Sequence, residues 1–205
     1  MTKTRSDNPA MIYQSLLYGI FQRSRADPLI GLSLAIISVN PGEGVTHTTK
    51  GLANALGMSR QHVALVDFSF LQRNSEELEE VINTVDLTGE SHIRELYSEV
   101  HSNGANGSTG LRSPWHRSLE YRKSCVRRLC YHFDVVLIDC PSLRRSSEVL
   151  SVAAAVDGVI LVIQAGKTTK ADIAFAERQI AASGGRLEGH VLNRLSAPFP
   201  KWFYR

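Results

Sequence analysis

Five short apolar runs recur along the chain at intervals that leave room for helices: LSLAIIS at 32–38, HVALVD at 62–67, FDVVLID at 133–139, GVILVIQ at 158–164 and RLEGHVLN at 186–193. They are rich in valine, isoleucine and leucine and do not alternate strictly with polar residues, the pattern of strands covered on both faces. Helical periodicity falls between them, at about 45–57, 115–131, 145–155 and 170–183, with weaker patterns at 75–83 and 91–100. Strand, helix, strand repeated in this way needs crossover connections. These build an α/β fold: a doubly wound, mostly parallel sheet with helices on both faces.

A chain of 205 residues with 43% hydrophobic content supplies one sizeable core and not two. Residues 1–205 therefore read as a single domain with its core at about 30–196, a helix at about 9–24 and a flexible loop at about 101–113. The loop contains HSNGANGSTG, whose glycine, serine and asparagine bury too little to offset their ordering entropy. The net charge of +3 is far from the dense single-sign field that by itself argues nucleic acid, so no nucleic-acid partner is expected. Cys125, Cys130 and Cys140 are odd in number and lack a CxxC spacing, which fits reduced thiols better than disulfides or zinc. MTKTRSDNPA has no apolar leader region, and the VILVI stretch is bounded by Asp157 and Gln164. The expectation is a soluble cytoplasmic protein that reaches the inner face of the plasma membrane only through a partner.

After the first run the chain reads SVNPGEGVTHTTKGLANAL, residues 38–56. This has the form of a phosphate-binding loop: a glycine-rich turn at a helix N-terminus whose amides surround phosphate oxygens, while a lysine reaches phosphate and a hydroxyl reaches magnesium. Gly42 and Gly44 supply the backbone freedom and Thr46 the hydroxyl, but Val45 stands at the lysine position with neither a proton to donate nor a charge. The candidate nucleotide-binding residues are Gly42, Glu43, Gly44, Val45, Thr46 and His47. Two further runs end in aspartate, Asp67 in HVALVDFSF and Asp139 in FDVVLIDCPSL. A strand-terminal carboxylate beside such a loop suits Mg2+, which takes hard oxygen ligands or waters held by them. Thr46 and Asp139 are the candidate magnesium residues.

With DGVILVIQAGKTTKAD and then GHVLNRL, the order of motifs over about residues 10–200 resembles the cytoplasmic P-loop domain of the bacterial tyrosine kinases (BY-kinases) of capsule and exopolysaccharide biosynthesis, a family related to the MinD and ParA ATPases. The resemblance implies a P-loop NTPase-like fold, ATP or ADP with Mg2+ as ligands, and a membrane chain-length regulator (polysaccharide co-polymerase) as partner. It also makes Asp139 the Walker B aspartate. The departures are several. The family loop reads like PGEGKST, so an ungapped overlay puts Val45 on the lysine, Thr46 on the serine and His47 on the threonine. Its second motif runs D, any residue, D, where this chain has Asp67, Phe68, Ser69. The ring-forming E-x-x-R-x-x-R of its N-terminal helix falls on Met11, Gln14 and Leu17, and WFYR lacks its C-terminal tyrosine cluster. Asp67 and Asp139 are then remnants of a catalytic site, with no residue assigned as catalytic.

Replacements for the lost lysine are not obvious in the sequence. Lys50 lies five residues beyond Val45, well over one turn of about 3.6 residues, and reads as a solvated helix residue. Lys167 in QAGKTTK reads as part of a surface turn, and His47 is too short to copy lysine's reach. Cys140 reads as a small buried residue and not a nucleophile, and EELEE (76–80) as a solvated helix face. In SPWHRSLEYRKSCVRRLCYHF, residues Trp115, Leu119, Val126, Leu129 and Phe133 fall at core-facing spacings, leaving Arg117, Arg122, Lys123, Arg127 and Arg128 to the outside.

The function expected from the sequence is a catalytically degenerate P-loop protein, a pseudokinase or pseudo-ATPase, acting as a regulatory or binding subunit in capsule or exopolysaccharide biosynthesis and export. The alternatives are a slow ATPase or tyrosine autokinase of the same pathway, and a ParA-like DNA-binding module using the basic helix. Homo-oligomerisation stays open at this level.

Overall fold

The computed structural model describes residues 30–76, 78, 80, 82, 92–96, 115 and 117–194. In chain order the elements are β1 (Leu32–Ser38), α1 (Val45–Met58), β2 (Val63–Asp67), α2 (Phe68–Asn74), β3 (Ile93–Leu96), α3 (Leu119–His132), β4 (Val135–Asp139), α4 (Val149–Ala153), β5 (Gly158–Gln164), α5 (Lys170–Ala182) and β6 (Leu187–Asn193). All five apolar runs are strands. They join β3 in one parallel sheet of order β3-β2-β4-β1-β5-β6.

The alternation of side chains along a strand divides β1 between two cores. Leu32, Leu34 and Ile36 face α1, where Val45, Leu52, Ala53, Ala55 and Leu56 meet them together with Ile160 and Val162 of β5. Ala35, Ile37 and Val39 face the larger cluster, built with Phe68, Phe70, Trp115, Val126, Leu129, Val152, Ala176 and Ile180. Each large apolar side chain so enclosed contributes about 1.5–3 kcal/mol relative to exposure. That is why a run without polar alternation marks a central strand. Trp115 anchors the larger core: its indole N–H donates to Ser151 Oγ at 2.8 Å, and its ring meets Phe68 edge-on at 6.3 Å between centroids.

The structure corrects four expectations. Residues 91–100 read as a helical pattern, yet Ile93–Leu96 is a strand, pairing with Val63–Val66. Four residues are too few for periodicity to decide between helix and strand, and the open edge of β2 decides it instead. β6, expected to be covered on both faces, is a sheet edge with Leu192 55% exposed. The helix expected over 115–131 begins at Leu119, where Ser118 Oγ accepts from the Tyr121 amide, and α4 is shorter than the expected 145–155. Of the weak 75–83 pattern, residues 78, 80 and 82 are helical, with Leu78 and Ile82 in the core. The expected helix at 9–24, the loop at 101–113 and the WFYR end lie outside the described residues. No helix among the described residues is long and apolar enough to cross a membrane.

All three cysteines are buried and free. Burial raises the Cys125 thiol, pushes Cys130 up to about 12 and holds Cys140 well above the ordinary range, each away from the thiolate that reacts. The native protein is expected to be inert to a thiol reagent at pH 8, with all three groups reacting once denaturant is added. A fast-reacting thiol in the folded state would contradict this packing.

Candidate functional site

The loop after β1 joins the sheet to α1 without a side-chain cap. Gly44 occupies the N-cap with φ +97°, and no side chain hydrogen-bonds the free amides of the first turn. A Cβ at Gly44 would also come within 2.0 Å of Asn193 Nδ2, so glycine is required twice over at this position. Gly42, at φ +79°, needs the same left-handed freedom but faces open space. The result is a helix N-terminus whose first amides have no side-chain cap and whose dipole favours an anion.

Glu43 holds this loop from inside. Its side chain is fully buried, and one carboxylate oxygen accepts from the amides of Val39 and Asn40, both at 3.0 Å. The other accepts from Asn40 Nδ2 and from the Thr168 hydroxyl in the β5–α5 turn. Asn193, at the end of β6, donates to the Glu43 carbonyl at 2.9 Å. The loop is therefore clamped to the ends of β5 and β6. Val45 packs inward, within the cluster beneath α1. Thr46 and His47 are exposed at the helix start.

The strand order sets two carboxylates beside the loop, since Asp67 and Asp139 are register partners at the ends of β2 and β4. Asp139 is 8% exposed, and this desolvation is the main reason its carboxyl titrates above the usual range. The neighbouring Thr46 hydroxyl pulls the other way; Asp67 adds like-charge repulsion, and Lys50 opposes this with positive charge. Lys50 is exposed, as its sequence position implied, but its charge acts on Asp139, which the sequence did not reveal. Asp67 is committed to capping α2: its carboxylate accepts from the Ser69 amide at 2.8 Å and from the Ser69 hydroxyl. Ser69 is in turn held by Arg73, at 3.2 Å from its hydroxyl. Where the kinase motif carries a second carboxylate, this chain has a hydroxyl with an arginine behind it.

The loop, the segment after β4 and the end of β6 enclose a cleft of about 250 Å³. Ser38, Gly42, Gly44, Val45, Thr46, His47 and Cys140 contribute to its wall, as do Ser142, Arg145 and Arg194. Of the predicted site residues, Gly42, Gly44, Val45, Thr46 and His47 meet at this cleft; the Glu43 side chain is turned away from it, and Asp139 adjoins it through Thr46. Sequence reasoning missed Ser142, Arg145, Asn193, Arg194 and Thr168. Lys167 lies exposed in a turn after β5, as expected.

The uncapped α1 terminus fits a phosphate group. The Thr46–Asp139 pair fits Mg2+, which keeps most of its waters and asks for few protein oxygens. Lysine chemistry at position 45 is not available.

No protein-family model matches the chain. Tyrosine-protein kinase YwqD of Bacillus subtilis is 27% identical over 175 residues, 78% of this chain and 71% of that protein. Tyrosine-protein kinase CpsD of Streptococcus agalactiae serotype Ia is 28% identical over 180 residues, covering 80% and 74%. The kinase domain of Escherichia coli tyrosine kinase ETK superposes with a TM-score of 0.64 at 17% identity, over 95% of this chain and 82% of that one. MinD of Pyrococcus horikoshii, solved with Mg-ADP, gives 0.57 at 18% identity, over 85% and 76%. By sequence and by fold the chain is a relative of the bacterial tyrosine-protein kinases, built on the P-loop architecture they share with MinD.

Proposed function

We propose that this chain binds nucleotide phosphate at the α1 terminus and acts as a regulatory subunit, weak or silent in phosphoryl transfer, of a tyrosine-kinase system in capsule or exopolysaccharide biosynthesis. Its partner in this proposal is a membrane chain-length regulator, a polysaccharide co-polymerase, which holds it at the inner membrane face. The observation that carries the proposal is Val45: the lysine position is filled by a side chain packed into the hydrophobic cluster beneath α1. Ser69 in place of a carboxylate, and Asp67 engaged as a helix cap, support it. The naming of its relatives as tyrosine kinases supports the pathway class. ATP or ADP with Mg2+ is then a weak ligand set, held by the loop amides, Thr46 and Asp139. A slow ATPase or autokinase is the second reading, favoured by the Thr46 hydroxyl lying beside the Asp139 carboxylate.

Nucleotide titration with and without Mg2+, beside an assay of phosphate release and tyrosine phosphorylation, separates the two. Binding without turnover supports a regulatory subunit; turnover that needs Mg2+ supports the enzyme. Val45→Lys is expected to raise nucleotide affinity with little change in turnover, because Ser69 still leaves the metal region one carboxylate short. Since position 45 packs against the sheet, the same change is expected to cost about 1–3 kcal/mol of stability. Brisk hydrolysis by that single variant would show that the Ser69 position is unimportant.

A further inference from the structure

The cleft holds cations that do not come from the loop. Arg145 follows β4 by six positions and Arg194 follows β6 by one, and both border the cleft beside Thr46 and His47. Backbone hydrogen bonds fix the first of them in place: the amides of Leu143 and Arg144 donate to the carbonyls of Ser38 and Val39 at 2.9 and 3.1 Å, carrying the chain along the mouth of the loop. A turn then closes on the Ser142 carbonyl, which accepts from Arg145 and Ser146. Arg194 sits in the left-handed region at φ 57°, an uncommon conformation for a residue with a Cβ, and its amide is held by Asn193 Oδ1 at 2.9 Å.

The neighbouring arginine is paired: Arg144 bonds Asp172 at 2.7 Å and lies over Phe175. Neither Arg145 nor Arg194 has a carboxylate partner among the described residues. A second observation is independent of charge: Ser142, only 5% exposed and lining the same cleft, has a buried hydroxyl without a hydrogen-bond partner. An orphaned buried hydroxyl is costly, and a turn of the Ser142 side chain toward the cleft would let a ligand oxygen satisfy it.

We infer that Arg145, assisted by Arg194 and the Ser142 hydroxyl, takes over at this cleft the phosphate-binding role left open by Val45. Guanidinium groups suit that role, since they bind phosphate oxygens in pairs and keep their charge at any working pH. At about 250 Å³ the cleft is below the usual range for a whole small-molecule site and suits a diphosphate or triphosphate group with the rest of the ligand outside. The chemistry recognised is a polyphosphate, which a nucleotide or free pyrophosphate can supply. This assignment rests on the proposal that the α1 terminus binds nucleotide phosphate.

The test is calorimetric titration of the full chain with inorganic pyrophosphate, ADP and ATP, repeated on Arg145→Ala, Arg194→Ala and Ser142→Ala, with Arg144→Ala as the control outside the cleft. Arg145→Ala is expected to weaken pyrophosphate and ADP alike by about tenfold or more, equivalent to about 1.4 kcal/mol, while Arg144→Ala stays within about twofold. Val45→Lys added to Arg145→Ala is expected to recover most of the loss, a rescue that a merely structural role for Arg145 would not give. Tighter binding of ADP than of pyrophosphate identifies the nucleotide as the source, and equal affinities identify the free anion; both agree with the arginine assignment. Unchanged affinity in a folded Arg145→Ala protein overturns the assignment while leaving nucleotide binding intact. Failure of the wild-type chain to bind any of the three ligands overturns both.

Discussion

Replacement of Glu43 by alanine is expected to destabilise the protein by about 2–4 kcal/mol, more than a substitution at any exposed position of the cleft, because it strands one buried and three part-buried donors at once. The carboxylate serves the amides of Val39 and Asn40, the Asn40 side chain and the Thr168 hydroxyl, and Val39 is fully buried. Glutamine keeps one carbonyl oxygen for the two amides and can donate to Thr168, so Glu43→Gln is expected to lose less than half as much. Denaturant unfolding monitored by circular dichroism measures both. The difference between them matters more than either value: equal losses would mean that charge, and not acceptor geometry, holds the loop. An alanine variant as stable as the parent would mean that the loop is shaped by the glycines alone.

The second large effect concerns rate. The purified chain is expected to release phosphate from ATP at background level, with no gain from added Mg2+. Phosphoryl transfer relies on positioned charge, and removal of one preorganised donor costs on the order of a hundredfold to a thousandfold. Here Val45 replaces the lysine and Ser69 a carboxylate, so the expected deficit compounds. An arginine bound to the ground-state phosphates from the β4–α4 segment does not reverse this, since binding substrate and transition state equally leaves the barrier as it was. Turnover that requires Mg2+ and disappears in Asp139→Ala would establish an enzyme in spite of both substitutions.

The sheet was legible in the sequence because its central strands are buried on both faces, which forces a run such as LSLAIIS to be apolar throughout. Ile93–Leu96 was not, since IREL is short, carries two charges, and becomes a strand only through the free edge of β2. At the site, Gly42 and Gly44 were legible because positive φ is a local demand that glycine answers. The inward turn of Glu43 was not, because its partners Thr168 and Asn193 are brought in by the fold from 125 and 150 positions away. Arg145 and Arg194 did leave a trace that went unread: each follows the C-terminal end of a strand, where parallel α/β sheets bind their ligands.

The long reach of Asn193 bears on when the chain becomes competent to bind. Synthesis delivers the loop early and β6 last of the sheet, yet the Glu43 carbonyl and the space beside Gly44 are both set by Asn193. Contacts so far apart in sequence form late, after the loop-closure entropy has been met. A nascent chain with β1 and α1 already folded therefore has its glycines and its helix dipole but no outer wall to the loop. On the proposed function, the phosphate site would be completed only when the edge strand docks, so nucleotide binding would report on completed folding of the sheet.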